Sequence, residues 1–168
     1  LDIALVEGEI HHPDLVMVPG IRDFLVLGCA ANHPFAGRGA IHVKDLEGRK
    51  FVMREQGSGT RALFDRFIKR HGLNIRISWE ATCPDAFRNA ILYNQCLAVV
   101  SVRLLERDIR SGQIRIFNPH TNELERFFSL VYHKDKVFTP AMNAVRNIIA
   151  HYRQPDWLDN VPVGVLNE

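Results

Sequence analysis

The sequence predicts an α/β protein with an open, mixed but mostly parallel sheet and helices on both faces. Three observations carry this. Short runs of branched and aromatic residues alternate with helical patterns through the middle of the chain, the order produced when crossover helices join strands. One run, Leu97-Ala98-Val99-Val100, is apolar without alternation, as in a strand covered on both faces. Two short strands each lead straight into a helix start: Phe51-Val52-Met53 into Arg54-Glu55-Gln56-Gly57-Ser58-Gly59-Thr60-Arg61, and the strand ending at Trp79 into Glu80-Ala81-Thr82-Cys83-Pro84-Asp85.

Taken in order, Leu1–Val6 reads as a strand, broken at Glu7-Gly8-Glu9. His11-His12-Pro13 is a loop, since no third metal ligand stands at useful spacing. Asp23–Cys29 is the second strand, and Asn32–Gly39 is turn-rich. Asp45-Leu46-Glu47-Gly48 suggests a helical turn. The helix from about Thr60 carries Leu63, Phe64, Phe67 and Ile68 on one face and stops at Gly72, a natural C′ residue. Ile75, Ile77 and Trp79 alternate with polar residues, which predicts a half-buried strand. Thr82 or Cys83 caps the next helix, with Pro84 in its first turn and Phe87, Ala90 and Ile91 as its core stripe. A short helix follows Ser101 through Leu105 and Ile109, then a strand at 112–117 and a turn at 118–122. Phe127–His133 is the longest expected strand, and Thr139-Pro140 opens a last helix with Val145, Ile148 and Ile149 on its apolar face. The tail from Gln154 reads as irregular.

The chain has 168 residues, 46% apolar and 24% charged, with a formal net charge of +2. Those values describe a globular protein, and no run is long enough to cross a membrane. Its basic residues are scattered, and the cluster Arg103, Arg107 and Arg110 reads as a solvated helix face rather than a nucleic-acid patch. Three widely spaced cysteines, Cys29, Cys83 and Cys96, point to free thiols in a reducing compartment, hence a cytoplasmic location. The chain opens without Met in the middle of a strand, so a piece of a longer protein is expected.

The candidate site is the pair of helix starts. Glycine at 57 and 59 permits positive φ and close backbone approach. Ser58 or Thr60 can cap the helix, and unpaired N–H groups with the helix dipole favour an anion. Arg54 and Arg61 are expected to raise the positive potential. Thr82 adds a hydroxyl at the second start. The string is neither a Walker loop nor a dinucleotide fingerprint. The expected ligand contacts are therefore Gly57, Ser58, Gly59, Thr60 and Thr82, with no metal, no cofactor and no catalytic residue. An enzyme would need an acid–base pair or an activated nucleophile. Glu55, Glu80 and Cys83 are the nearest candidates, and nothing ties them to a base.

The order of segments resembles the C-terminal effector-binding domain of LysR-type transcriptional regulators. The residues that carry the resemblance are Leu1–Gly8, Phe51–Arg61, Trp79-Glu80, Leu97–Ser101, Gly112-Gln113-Ile114 and Arg126–Lys136. The resemblance runs from Leu1 to about Tyr152. It implies a periplasmic-binding-protein type 2-like fold, with one complete lobe and part of a second. Residues 1–20 would be the partial first lobe and first crossover, 21–117 the second lobe, and 118–168 the return crossover strand, the first-lobe C-terminal helix and the tail. It also implies a regulator that binds a small, anionic metabolite in an interlobe cleft and contacts DNA only through a missing N-terminal helix-turn-helix. Self-association through the effector domains is expected, with Val145, Ile148 and Ile149 seeking cover. A solute-binding protein of a transporter shares the fold and is the alternative. Where the family usually has a Gly-x-Gly turn before the buried strand, this chain has Tyr93-Asn94-Gln95-Cys96, and Asn94 is the residue expected to be left-handed.

Overall fold

Each strand of the central sheet sends alternate side chains to opposite faces, and both faces are covered by helices. The computed structural model describes residues 1–8, 10–119, 122–153, 156 and 160–168. In chain order its strands are β1 (Ala4–Glu7), β2 (Leu15–Ala30), β3 (Ala40–His42), β4 (Lys50–Arg54), β5 (Arg76–Ala81), β6 (Ala98–Ser101), β7 (Ile114–Pro119), β8 (Glu125–His133) and β9 (Val163–Asn167). The helices are α1 (Gly59–Arg70), α2 (Pro84–Asn94), α3 (Glu106–Arg110) and α4 (Pro140–Ala150). The chain divides into two compact units, one of Leu1–Asp23 with Glu125–Pro155, the other of Phe24–Leu124 with Asp156–Glu168.

The larger unit holds the sheet. β4 and β5 pair in parallel. β4 is also bridged in parallel to Leu97, where the Val52 N–H donates to the Leu97 carbonyl at 3.0 Å and the Leu97 N–H to the Lys50 carbonyl at 2.9 Å. β6 and β7 run antiparallel to β2, while β9 lies parallel to both β7 and β3. The sheet is thus mixed and mostly parallel, with β2 as the strand that runs against its neighbours. Leu25, Leu27 and Cys29, Phe51 and Met53, and Leu97 and Val99 share one core with Phe64 and Phe67 of α1. Val26, Val52, Ala98 and Val100 share the other with Phe87, Ala90 and Ile91 of α2 and Leu105 and Ile109 around α3. That division is the period of two expected of strands buried on both sides, and each such large side chain contributes about 1.5–3 kcal/mol.

Local signals set the helix ends. Gly72 at φ +62 follows the His71 cap. The Leu73 N–H donates to the Ile68 carbonyl at 3.0 Å and the Gly72 N–H to the Lys69 carbonyl at 3.3 Å, the two bonds of a Schellman motif. At the end of α2 the left-handed residue is Gln95, at φ 51, and not Asn94 as expected; Asn94 is the last residue of the helix itself.

Three expectations need correction. The tail is not irregular throughout, because residues 163–167 form β9. Gly164 makes this strand possible: a Cβ there would stand 2.4 Å from the ring of buried Phe117. The longest strand is β2, not the one at Phe127–His133. Gly20 sits inside β2 at a close approach, where a Cβ would meet Ile149 at 2.4 Å. Finally, β5 is more exposed than half-buried: Ile77 is 49% and Trp79 53% exposed, since β5 has a strand neighbour on one side only.

The smaller unit pairs β1 with β8 antiparallel and packs α4, capped by Thr139, whose hydroxyl accepts the Met142 N–H at 3.3 Å. Ile149 is buried there, whereas Val145 and Ile148 remain exposed. The expected turn at 118–122 includes His120 and Thr121, which lie outside the described residues, as do Glu9 and Gln154.

Candidate functional site

The last residue of β4, Arg54, is registered with the last residue of β5, Ala81. Because the strands are parallel, the turns that follow them leave the same carboxyl edge, where open α/β sheets form ligand crevices. Gly57 takes φ +90, a value that L side chains rarely adopt. Ser58 is the N-cap of α1, extended at φ −68 and ψ 134, and its hydroxyl makes no capping bond. Gly59 is the first helical residue and, contrary to expectation, does not use positive φ. Thr60 is 5% exposed, so a ligand would meet its backbone before its side chain. At the second turn Cys83 takes the capping role, its Sγ accepting the Ala86 N–H at 3.4 Å, with Pro84 following. Thr82 is thereby released from capping and is exposed. It opens on a cavity of about 440 Å³ that Trp79, Asn89 and Asn94 also line. Ser58, Gly59 and Thr60 do not line that cavity, so the shared edge is what brings the two turns together. Asn89 escaped the sequence reading; its signal was its spacing from Ala86, three residues on along the same face of α2.

The expected positive potential is largely neutralised. Arg54 donates to both carboxylate oxygens of Glu55, each at 2.8 Å. These bonds hold the Glu55 carboxyl down at about 2. Whatever this depressed value contributes to stability is present above the ordinary carboxylate range and is lost as the pH falls through about 2. Arg61 points inward. Its side chain is 8% exposed, its Nε lies 3.0 Å from both Asp65 oxygens, and its guanidinium donates to the Arg54 carbonyl at 3.0 Å and to Glu80 at 3.4 Å. Arg61 therefore ties the start of α1 to the ends of β4 and β5. With both arginines occupied, the attraction for an anion falls to backbone N–H groups and the helix dipole. The carboxylates considered as catalytic candidates, Glu55 and Glu80, are members of these pairs.

Burial raises the thiol of Cys29 to about 12 and that of Cys96 above its ordinary value, which makes both poor nucleophiles. Among the described residues no group of three or more His, Cys, Asp or Glu is placed to hold a metal ion, and no helix is long and apolar enough to cross a membrane.

Residues 1–154 match the family model for the LysR substrate binding domain. The chain belongs to the LysR substrate-binding domain family. Among sequence relatives, the HTH-type transcriptional regulator CysL of Bacillus subtilis (strain 168) is 28% identical over 146 residues, covering 87% of this chain and 47% of that protein. The RuBisCO operon transcriptional regulator of Allochromatium vinosum is 33% identical over 125 residues, 74% of this chain and 41% of that one. The LysR domain described here thus spans about half the length of the regulators it matches. Among solved structures, the regulatory domain of Synechocystis PCC6803 CcmR in complex with 2-PG superposes with a TM-score of 0.79 at 23% identity, covering 89% of this chain and 72% of that one. The effector-binding domain of QuiR in complex with shikimate gives 0.73 at 20%, covering 90% and 71%. These neighbours share the periplasmic-binding-protein type 2-like fold. Since the relatives of this LysR domain are transcriptional regulators, the transporter alternative is not favoured.

Proposed function

We propose that this domain senses a small anionic metabolite for a DNA-bound regulator, and that Gly57, Ser58, Gly59, Thr60 and Thr82 are its contacts. The observation that carries the reading is the shared edge: two helix starts, one with its cap hydroxyl unused and one with its threonine freed by Cys83, leave registered strand ends. Neutral donors dominate there, because Arg54 and Arg61 are paired. That favours one compact acidic group over a polyanion. Two structural neighbours hold 2-PG and shikimate, which makes these two acids the first probes. DNA binding belongs to sequence outside this chain.

Calorimetric titration tests the site. Ser58→Ala and Thr82→Val are expected to weaken a binding acid about 2- to 12-fold each, the worth of one neutral hydrogen bond, with unchanged unfolding midpoints. Wild-type affinity in both variants would remove these hydroxyls from the site.

We also propose self-association through exposed apolar surface. Val145, Ile148, Ile77 and Trp79 offer it, whereas Ile149 is already covered. Sedimentation should show concentration-dependent association that Ile148→Glu or Trp79→Glu weakens; a monomer at every concentration would refute it.

A further inference from the structure

The opposite, amino edge of β4 and β5 holds a second concentration of charge. Lys50 and Arg76 are the first residues of these strands and are direct register partners. Like charges placed opposite one another destabilise a strand pair. Arg49 precedes Lys50, and its carbonyl accepts the Arg76 N–H at 2.8 Å. None of the three makes an ion pair among the described residues. Two carboxylates close by in the sequence are engaged elsewhere, Glu47 with the Asn74 N–H at 2.8 Å and Asp45 with the His42 N–H at 3.0 Å and with Arg38 at 3.6 Å. The three cations border a cavity of about 440 Å³ whose lining contains no carboxylate.

The rest of the lining is His33, Pro34, Gly48, Tyr93, Asn94 and Gln95. His33 is 8% exposed, and its Nδ1 accepts the Phe35 N–H at 3.1 Å. Burial and the neighbouring Arg49 charge hold this imidazole below its ordinary value, so the neutral ring carries its proton on Nε2. Gln95, the left-handed non-glycine residue among those described, and Asn94 also line the cavity. Arg49 is steadied from behind, its Nε donating to the Asp45 carbonyl at 3.1 Å and its guanidinium carbon 5.2 Å from the Phe35 ring centre.

We propose that this cavity is a second anion site, separate from the Gly57–Thr60 turn, which takes a compact, multiply charged oxyanion such as a phosphate or diphosphate group. The two sites stand at opposite ends of the same strand pair and differ in chemistry. One offers neutral donors with paired arginines; the other offers three cations without counter-charges. An anion here relieves the Lys50–Arg76 repulsion, so it stabilises the strand pair that carries the first site.

The test uses inorganic pyrophosphate on the whole chain, with ionic strength held constant by sodium chloride. Pyrophosphate should raise the thermal midpoint saturably and shift the amides of Gly48, Lys50, Arg76, Asn94 and Gln95. Lys50→Gln and Arg76→Gln should each weaken pyrophosphate about tenfold or more, as expected for charge-assisted bonds. Without the anion, each should raise the thermal midpoint by about 1–3 °C, because the repulsion is gone. The proposal is overturned if pyrophosphate stabilises wild type and variants alike, if its shifts fall on Gly57–Thr60, if it produces no saturable effect, or if both variants lower the midpoint of the anion-free chain.

Discussion

Arg126→Met is expected to cost about 3–5 kcal/mol of stability, the usual consequence of removing one member of a buried ion pair. The Arg126 side chain is 6% exposed, and its Nε donates at 2.8 Å to Asp23, which is completely buried. Its guanidinium also pairs with Glu7 and lies 5.4 Å from the Phe128 ring centre. One side chain therefore joins β1, β2 and β8 within the smaller unit. Removing it takes a cation away from a fully buried carboxylate. Adding Asp23→Asn to Arg126→Met should recover part of the loss, since the charge that needed compensation is gone. Urea unfolding of the two single variants and the double variant checks both points. A loss below about 1 kcal/mol for Arg126→Met, in the range of a surface pair, would show that the cluster is not a buried network.

Arg61→Leu is expected to act on the site more than on the fold. Its carboxylate partners, Asp65 and Glu80, are about half exposed and can return to water, so stability should fall by only about 1–3 kcal/mol. The Arg54 carbonyl, however, loses its donor, and the start of α1 loses its tie to β4 and β5. A misplaced helix start weakens every backbone contact at once, so a binding acid should lose about 10- to 100-fold in affinity. Arg61→Lys should rescue little, because an ammonium lacks the planar fork that serves two partners in fixed directions. Titration calorimetry beside urea unfolding separates the effects. Undiminished affinity in Arg61→Leu would mean that the turn is held by other contacts.

The larger unit was legible in the sequence wherever a short-range signal had a single physical solution. The apolar run at Leu97–Val100, the Phe64 and Phe67 stripe, the Gly72 stop and the Pro84 helix start each specify local structure, and each appears in place. What escaped depends on partners distant in the chain. β9 needs Phe117 and Gly39 beside Gly164, and nothing in Val163–Asn167 names them. The strand expected at Asp23–Cys29 begins at Leu15, and the packing of Ile149 against Gly20 within that extension is invisible to a local window. Side-chain pairing at the site was only partly hidden: Glu55 beside Arg54 and Asp65 four residues after Arg61 are local partners that the sequence shows, whereas the pairing of Arg61 with Glu80 needs tertiary geometry. The choice of Cys83 over Thr82 as cap could not be read from residue types, since threonine is the better cap in general.

Amide shift mapping in solution tests the central claim most directly. The labelled chain would be titrated with a panel of small carboxylic and phosphorylated acids that includes 2-PG and shikimate, each beside a neutral analogue. Saturable shifts are expected first at Ser58, Gly59 and Thr60, then at Thr82 and Cys83, for an acid and not for its neutral counterpart. A panel in which no acid binds, or in which every binder leaves those amides unmoved, would contradict the assignment of this edge as the effector site.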